Sequence, residues 1–389
     1  MQLKKIKIIH FITTLGLGGA EKVLFNLLKN NNDKHLTHEI ICLNRGGLLK
    51  NKFKQLKIKV ICLNLDKNFI KGILNCFNHI RKIKNKEKTI IQTWLPHADL
   101  IGGLISKFCG FNKIIWNIRI SNFTKGSFKF KTLLIVLFNG ILSNFIPKKI
   151  ISCSVAGIKT HIKLGYNKNL FYLIHNGFDK KKILKRSFKF SKKFTIGIFS
   201  RYHEVKNHTY LFRALSILKN KNYKFNLLLL GPNIHTKNKK LLEDIKINNI
   251  YEEVIFVKKQ GIIDISKYFS YLDLYVLCSK TEGFPNILGE AIMNGIHVLS
   301  TDVGDAKLIV PSRKNIVHNH DVIKFSKKIE NLVKLYNFKN SRNNLLKKHS
   351  LIFHSKFSQH KMVNKYQKIW KSVALKQPFK KAKNRFLTI

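Results

Sequence analysis

Two glutamates eight positions apart, Glu282 and Glu290, form the pattern with the clearest chemical meaning in the sequence. Pro285 lies between them and suits the first position of a helix, so Glu290 falls in the second turn. The backbone N–H groups of a helix start bind anions, and carboxylates accept hydrogen bonds from hydroxyl groups. This arrangement suits a nucleotide diphosphate across the helix start, with one glutamate binding sugar hydroxyls and the other a ribose. An ordinary amphipathic helix with both glutamates in water is the alternative.

Arg201 and Lys206 follow the apolar run Thr195 to Ser200, which predicts a buried strand. A strand end of a parallel sheet is a usual place for a ligand. Arginine can donate two hydrogen bonds to phosphate oxygens, and lysine adds a point charge. The pair therefore favours stabilisation of a leaving diphosphate.

The first part of the chain offers a glycine-rich turn and a histidine. Gly18 and Gly19 follow the predicted strand Ile6 to Phe11 and precede an amphipathic helix, and glycines allow close backbone approach to a ligand. His97 lies just beyond the end of another predicted strand, Thr89 to Thr93. Such a turn can also be purely structural, and a lone histidine is more often structural than catalytic.

Several of these segments, in the same order, resemble those of the family-4 glycosyltransferases. The similar segments include Gly-Gly-Ala-Glu at Gly18, Trp-x-x-His-Ala-Asp-Leu around His97, Asn-Gly-x-Asp at Asn176, Arg-(x)4-Lys at Arg201 and E-x7-E at Glu282. The resemblance implies the GT-B fold, transfer with retention of anomeric configuration, and a nucleotide-sugar donor. The acceptor it implies is a glycan or a lipid-linked molecule of cell-surface polysaccharide or lipopolysaccharide biosynthesis.

The resemblance also implies roles for individual residues. Catalytic roles fall on His97, Arg201, Lys206 and Glu282. The expected donor contacts are Gly18, Gly19, Arg201, Lys206, Glu282, Gly283, Phe284, Pro285, Asn286, Ile287 and Glu290. Arg119 would serve the acceptor or merely pair on the surface. No cofactor or metal is expected, because the sequence offers no Asp-x-Asp pair and the two cations can neutralise the phosphates.

Short apolar runs alternate with helical patterns through both halves of the chain, which predicts an α/β protein with parallel sheets. We expect a GT-B arrangement of two Rossmann-like domains facing each other across a cleft. The predicted parts are an acceptor-side domain over residues 1–185, a donor-binding domain over 186–370, and a basic tail over 371–389 that returns to the first domain. The lysine-rich run 180–193 is the predicted linker.

The formal net charge of +53 favours polyanionic partners. A nucleic-acid-binding protein is the rival interpretation, but the sequence contains no recognised module and its lysines are spread throughout, so no specific nucleic acid is expected. The six cysteines lack paired or metal-like spacing, which fits a reducing cytoplasm. No signal peptide is expected, since the apolar run Ile6 to Ile12 is short and interrupted.

Two further observations qualify this interpretation. Residues 133–146 are too short and too polar to cross a membrane, so we expect a core helix or a shallow interfacial helix. Together with the charge, this suggests a peripheral position on an anionic membrane at the cytoplasmic face. The sequence departs from the family at Lys258 to Gln260 and at Pro311 to Asn315, so a degenerate, non-catalytic relative remains a second alternative.

Overall fold

The computed structural model comprises two compact units. The first unit contains Met1–Gly177 and Gln359–Ile389, and the second contains Phe178–Ser358. The structure describes residues 5–121, 130–179, 193–257, 265–336 and 339–375. The predicted domain boundary at residue 185 and nearly all of the predicted linker 180–193 lie outside these residues.

A seven-stranded, fully parallel sheet forms the centre of the first unit, with the strand order β3-β2-β1-β4-β5-β6-β7. Its strands are β1 (Ile6–Ile12), β2 (Leu36–Cys42), β3 (Lys59–Cys62), β4 (Thr89–Trp94), β5 (Ile114–Ile118), β6 (Lys149–Ser152) and β7 (Phe171–Leu173). The strands predicted over Ile6 to Phe11 and Thr89 to Thr93 are present as β1 and β4, whereas the short strand β7 was not predicted. The strand order reverses between β1 and β4, and ligands of such sheets usually bind at this switch point.

Six helices follow the strands of this unit. They are α1 (Gly19–Lys29), α2 (Lys50–Gln55), α3 (Phe69–Arg81), α4 (Pro96–Phe108), α5 (Phe130–Leu142) and α6 (Val155–Lys163). One buried core packs α1 and α2 against the sheet, and a second core packs α3, α4 and α5 against it. Both faces of the sheet are thus covered, as its continuous apolar strands require.

The second unit contains a six-stranded parallel sheet of order β10-β9-β8-β11-β12-β13. Its strands are β8 (Phe194–Phe199), β9 (Phe225–Leu230), β10 (Val254–Phe256), β11 (Leu274–Leu277), β12 (His297–Thr301) and β13 (Ile316–Val317). This is the 3-2-1-4-5-6 order of a doubly wound dinucleotide-type fold, and it places the switch point between β8 and β11. The two-residue strand β13 was not predicted from the sequence.

The helices of the second unit connect and cover these strands. They are α7 (His208–Asn220), α8 (Lys239–Ile247), α9 (Ser266–Phe269), α10 (Asn286–Met293), α11 (Ala306–Ile309), α12 (Val322–Tyr336) and α13 (Lys339–Phe357). Pro285 is the residue before α10 and not its first helical residue, so the predicted helix start was wrong by one position. Glu290 lies in the second turn of α10, as predicted.

The last helix, α14 (Gln359–Ala374), belongs to the first unit. Its buried residues Met362, Tyr366, Ile369 and Trp370 join the core that also contains β1 and β4. Burial of this apolar face explains why the second unit ends at Ser358, before the residue 370 predicted from the sequence.

Candidate functional site

The loops that follow β8 and β11 meet at the switch point of the second sheet. The backbone N–H of Lys280 donates to the carbonyl oxygen of Val205 at 2.8 Å, which joins the two loops directly. The side chain of Lys280 also pairs with Glu204 at 3.0 Å. These contacts bring Lys206 of the first loop beside Glu282 of the second.

Lys206 and Glu282 form an ion pair at this edge of the sheet. The Nζ atom of Lys206 lies 2.6 Å from Oε1 of Glu282, and the two side chains are 25% and 17% exposed. Ser279 donates a second hydrogen bond to the same carboxylate oxygen at 2.7 Å. The carboxylate is therefore fixed by two donors while both members of the pair stay accessible to a ligand. Ser279, three residues before Glu282, was not predicted from the sequence to belong to this site.

Arg201 adds a second positive charge to the loop after β8. Its side chain is exposed and makes no ion pair with any residue that the structure describes. Helix α10 starts in the loop after β11, and its preceding residue, Pro285, provides no side-chain cap. A guanidinium, an ammonium and a helix start in adjoining loops provide the chemistry needed to bind a diphosphate.

The turn that carries Glu282 is supported from the loop after β12. Gly304 has a φ of +53°, and a Cβ atom at this position would lie 2.3 Å from the carbonyl oxygen of Glu282 and 2.4 Å from that of Gly283. The backbone N–H of Asp305 donates to the carbonyl oxygen of Gly283 at 2.9 Å. Only glycine allows this close approach, so Gly304 helps to fix the position of the turn that carries Glu282.

The other predicted donor contacts differ in accessibility. Gly283, Asn286, Ile287 and Glu290 are partly exposed, whereas Phe284 and Pro285 are buried. The ring of Phe284 packs against Phe357 at 5.4 Å between centroids and against Phe178 at 6.3 Å. The side chain of Phe284 thus anchors the loop to the interior.

Tyr275 of β11 is buried in the second unit. Burial raises the pKa of Tyr275 well above its ordinary value, and the negative charges of Glu282 and Glu290 act in the same direction.

In the first unit, His97 occupies the first turn of α4, immediately after β4. The residue before the helix, Leu95, has φ 77° and ψ 154°, a backbone conformation that is normal only for glycine. Burial lowers the pKa of His97, which favours a neutral imidazole at pH 7. The strained backbone conformation of Leu95 is typical of residues that position a functional group.

A buried polar contact network supports this helix start. Thr93 donates to the carboxyl group of Asp99 at 2.5 Å, and burial raises the pKa of Asp99 well above its ordinary value. The side-chain amide of Asn139, on α5, donates to the carbonyl oxygen of Pro96 at 2.9 Å. The turn that presents His97 is thus bonded directly to α5.

The side chain of Glu21 packs against the glycine turn before α1. A Cβ atom at Gly18 would lie 2.4 Å from the carboxylate of Glu21, which is buried and accepts a hydrogen bond of 2.7 Å from Thr14. Gly18 precedes α1 and Gly19 is its first residue. Packing of Glu21 explains why residue 18 is a glycine, independently of any ligand. Donor contact at Gly18 and Gly19 remains a prediction.

Among the described residues, Arg119 contacts neutral partners, and its two expected roles stay predictions. It donates to the Asn176 side chain and, at 2.9 Å, to the Tyr366 hydroxyl. Its guanidinium also lies 4.8 Å from the centre of the Trp94 ring. Within the described part of the chain no acidic side chain pairs with this guanidinium, which suits an acidic or hydroxyl-rich ligand.

The described residues contain no group of three or more metal-ligating side chains.

Two doubly wound parallel sheets of this kind are the architecture of the GT-B fold. The structure of Anabaena Alr3699/HepE in complex with UDP-glucose has this fold and superposes with a TM-score of 0.77, with 17% identity over 94% of this chain and 100% of that one. Residues 179–351 match the family model described as glycosyl transferases group 1. The matched residues lie within the second unit, which is therefore similar to the glycosyl transferases group 1 family.

Two curated proteins are also similar in sequence. EpsF of Bacillus subtilis (strain 168), named as a glycosyltransferase, is 21% identical over 322 residues, which cover 78% of this chain and 80% of EpsF. Protein CapJ of Staphylococcus aureus is 32% identical over 151 residues. That match spans 36% of this chain and about a third of CapJ, 37% of its length.

Proposed function

We propose that this protein is a retaining glycosyltransferase that moves a sugar from a nucleotide-diphosphate sugar to a glycan or lipid-linked acceptor. The observation that carries the proposal is the Lys206–Glu282 pair, with Arg201 in the same loop as Lys206, at the switch point of the second sheet. Cations there neutralise a diphosphate, and the carboxylate binds sugar hydroxyls.

In this proposal the second unit stabilises the departing nucleoside diphosphate. Breaking the glycosidic bond leaves negative charge on the β-phosphate, and Arg201, Lys206 and the start of α10 bind that charge. Retention of configuration requires attack on the face from which the nucleotide leaves, so stabilisation of the leaving group supplies much of the rate enhancement. Glu282 and Glu290 orient the sugar and the ribose.

Two further observations support a nucleotide-sugar donor. The family match covers the part of the chain that carries all four of these side chains. The HepE structure of the same fold contains UDP-glucose, which makes uridine diphosphate sugars the first donors to try.

On the acceptor side, His97 and Arg119 provide a neutral imidazole and a guanidinium with neutral contacts at the carboxyl ends of β4 and β5. These groups suit a hydroxyl-bearing acceptor. Cell-surface polysaccharide or lipopolysaccharide biosynthesis is the role that we propose, at the cytoplasmic side of the membrane and with no metal cofactor.

The test is a panel of nucleotide sugars incubated with the full chain and candidate acceptors, with released nucleoside diphosphate as the readout. We expect release from one donor, loss of that release in both Arg201→Ala and Glu290→Ala, and an α-linked product from an α-linked donor by NMR. An inverted product would contradict retention. If the folded protein neither binds any donor nor releases nucleoside diphosphate from it, the result would favour a non-catalytic relative.

A further inference from the structure

Helix α5 of the first unit carries an apolar face that no other part of the described structure covers. Its six large side chains are between 41% and 70% exposed: Phe130, Leu134, Leu137, Phe138, Ile141 and, just beyond the helix, Phe145. Apart from the adjacent pair Leu137 and Phe138, they recur every three or four residues, which places all six on one side of the helix. Soluble proteins rarely expose so many large apolar side chains together without a partner.

The opposite side of α5 is fixed to the protein. Val136, Asn139 and Gly140 are buried. Asn139 donates to the carbonyl oxygen of Pro96 at 2.9 Å, and a Cβ atom at Gly140 would lie 2.3 Å from the carbonyl oxygen of Leu164. The helix therefore cannot turn its apolar face inward without losing these contacts.

The charge around this helix indicates what covers the face. Residues 100–178 contain eleven lysines and arginines and no aspartate or glutamate, although the whole chain has 20 acidic residues. Lys131 on the helix and Lys148 shortly after it are both exposed. An apolar helix face within a uniformly basic segment is complementary to a bilayer with anionic headgroups. A second copy of this chain would bring the same positive charges together and is disfavoured.

The length of α5 determines the mode of contact. A helix of 13 residues is about 20 Å long, which is shorter than the hydrocarbon core of a bilayer. Among the residues described, no helix is both long and apolar enough to span a membrane. The helix would lie in the plane of the interface.

We propose that the apolar face of α5 docks the protein on an anionic lipid surface. Through Asn139, this helix is bonded to the turn that carries His97, so docking places the His97 turn next to the membrane. On the proposed function, which this last step requires, a lipid-linked acceptor then reaches the acceptor-side residues without leaving the bilayer.

The test is flotation of the full chain with vesicles of neutral phosphatidylcholine alone or with about 30% phosphatidylglycerol, at near-physiological salt. We expect binding to the anionic vesicles only. Ile141→Asp and Phe138→Asp should each lower the partition coefficient about tenfold or more, since each removes a large apolar side chain from the interface. The matched control is Ile323→Asp, which places the same charge at an isoleucine of α12 that is 73% exposed and should bind like the wild type.

Three outcomes would overturn the proposal. Wild-type protein could fail to bind anionic vesicles, or the α5 variants could bind as well as the control, which would assign binding to charge alone. Sedimentation could instead show a dimer that Ile141→Asp dissociates, which would assign the face to a second copy. Vesicle binding is measured without a donor and donor binding without vesicles, so failure of this proposal and failure of the proposed function are distinguishable.

Discussion

At the scale of single residues, we propose that Glu282 determines whether the site distinguishes a nucleotide sugar from a bare nucleoside diphosphate. Its carboxylate is held by Lys206 and Ser279, so its position is fixed before a ligand arrives. Hydrogen bonds from sugar hydroxyls to a fixed carboxylate are charge-assisted and stronger than those to an amide.

We therefore predict that Glu282→Gln weakens binding of the nucleotide sugar about tenfold or more and leaves binding of the corresponding diphosphate nearly unchanged or tighter, because Lys206 loses its carboxylate partner. Calorimetric titration with both ligands measures the difference. Glu253→Gln is the control, since Glu253 forms a comparable pair with Lys219 at 3.1 Å in the same unit. Equal losses for both ligands would show that Glu282 does not bind the sugar.

The sequence predicted that Arg201, Lys206 and Glu282 lie together, because the carboxyl ends of parallel strands share one edge of a sheet. It did not predict the Lys206–Glu282 contact or the role of Ser279. Side-chain pairing in loops depends on backbone contacts between segments far apart in sequence, such as the hydrogen bond from Lys280 to Val205. For the same reason, the neutral partners of Arg119 could not be predicted.

At the scale of elements, the junction of β4 and α4 holds strain that its sequence does not indicate. Leucine rarely adopts the conformation observed at Leu95, so nothing in the residue types predicted this turn. Residues in that region of backbone space cost about 1–3 kcal/mol.

We predict that Leu95→Gly is more stable than Leu95→Ala by about 1 kcal/mol, although alanine is usually the more stable of the two. Both changes remove the same side-chain contacts, and only glycine removes the strain. Urea denaturation of the two variants measures the difference. The usual order, with alanine more stable, would show that Leu95 is not strained.

The turn that carries Glu282 provides a second test at this scale. Gly304→Ala introduces a Cβ atom against two carbonyl oxygens, whereas Gly165→Ala, at a φ of +86°, introduces one into open space. We expect the positive φ to lower the free energy of unfolding of both variants by about 1 kcal/mol. Gly304→Ala should lose more stability and also donor affinity, because the turn that carries Glu282 must move. Equal stability and intact donor binding in both would refute a supporting role for Gly304.

The short strands β7 and β13 also show what the sequence could not provide. Three and two residues are too few for a recognisable pattern, and these strands form because the edge of each sheet offers hydrogen bonds. The return of the C-terminal segment to the first unit was predicted, but its start was placed too late, at residue 371, because that boundary depends on packing of the apolar face of α14.

At the scale of the whole molecule, buried histidines should make stability depend on pH. Burial lowers the pKa of His38, His161, His175 and His208 to about 4. In the unfolded chain these groups take up protons near pH 6.5, whereas the folded chain does so only near pH 4. Acid between these values therefore favours the unfolded state, and stability rises with pH across the same range.

At pH 5 each of these histidines should lower the free energy of unfolding by about 2 kcal/mol relative to pH 8. Urea denaturation at pH 8, 6.5 and 5 measures the loss. In His161→Gln the amide can still donate to the Gly157 carbonyl that His161 contacts at 2.8 Å, and the pH dependence should be weaker than in the wild type. An unchanged slope in this variant would contradict the proposed origin of the effect.

The measurement that tests the central claim most directly is calorimetric binding of nucleoside diphosphates and their sugars to the wild type, Lys206→Ala and Lys219→Ala. Both lysines pair with a glutamate of the second unit, and their side chains are similarly exposed, at 25% and 28%. We predict that the wild type and Lys219→Ala bind one donor with similar affinity, and that Lys206→Ala binds it about a hundredfold more weakly. Equal affinities in all three proteins, or no binding by folded wild type, would contradict a donor site at the switch point of the second sheet.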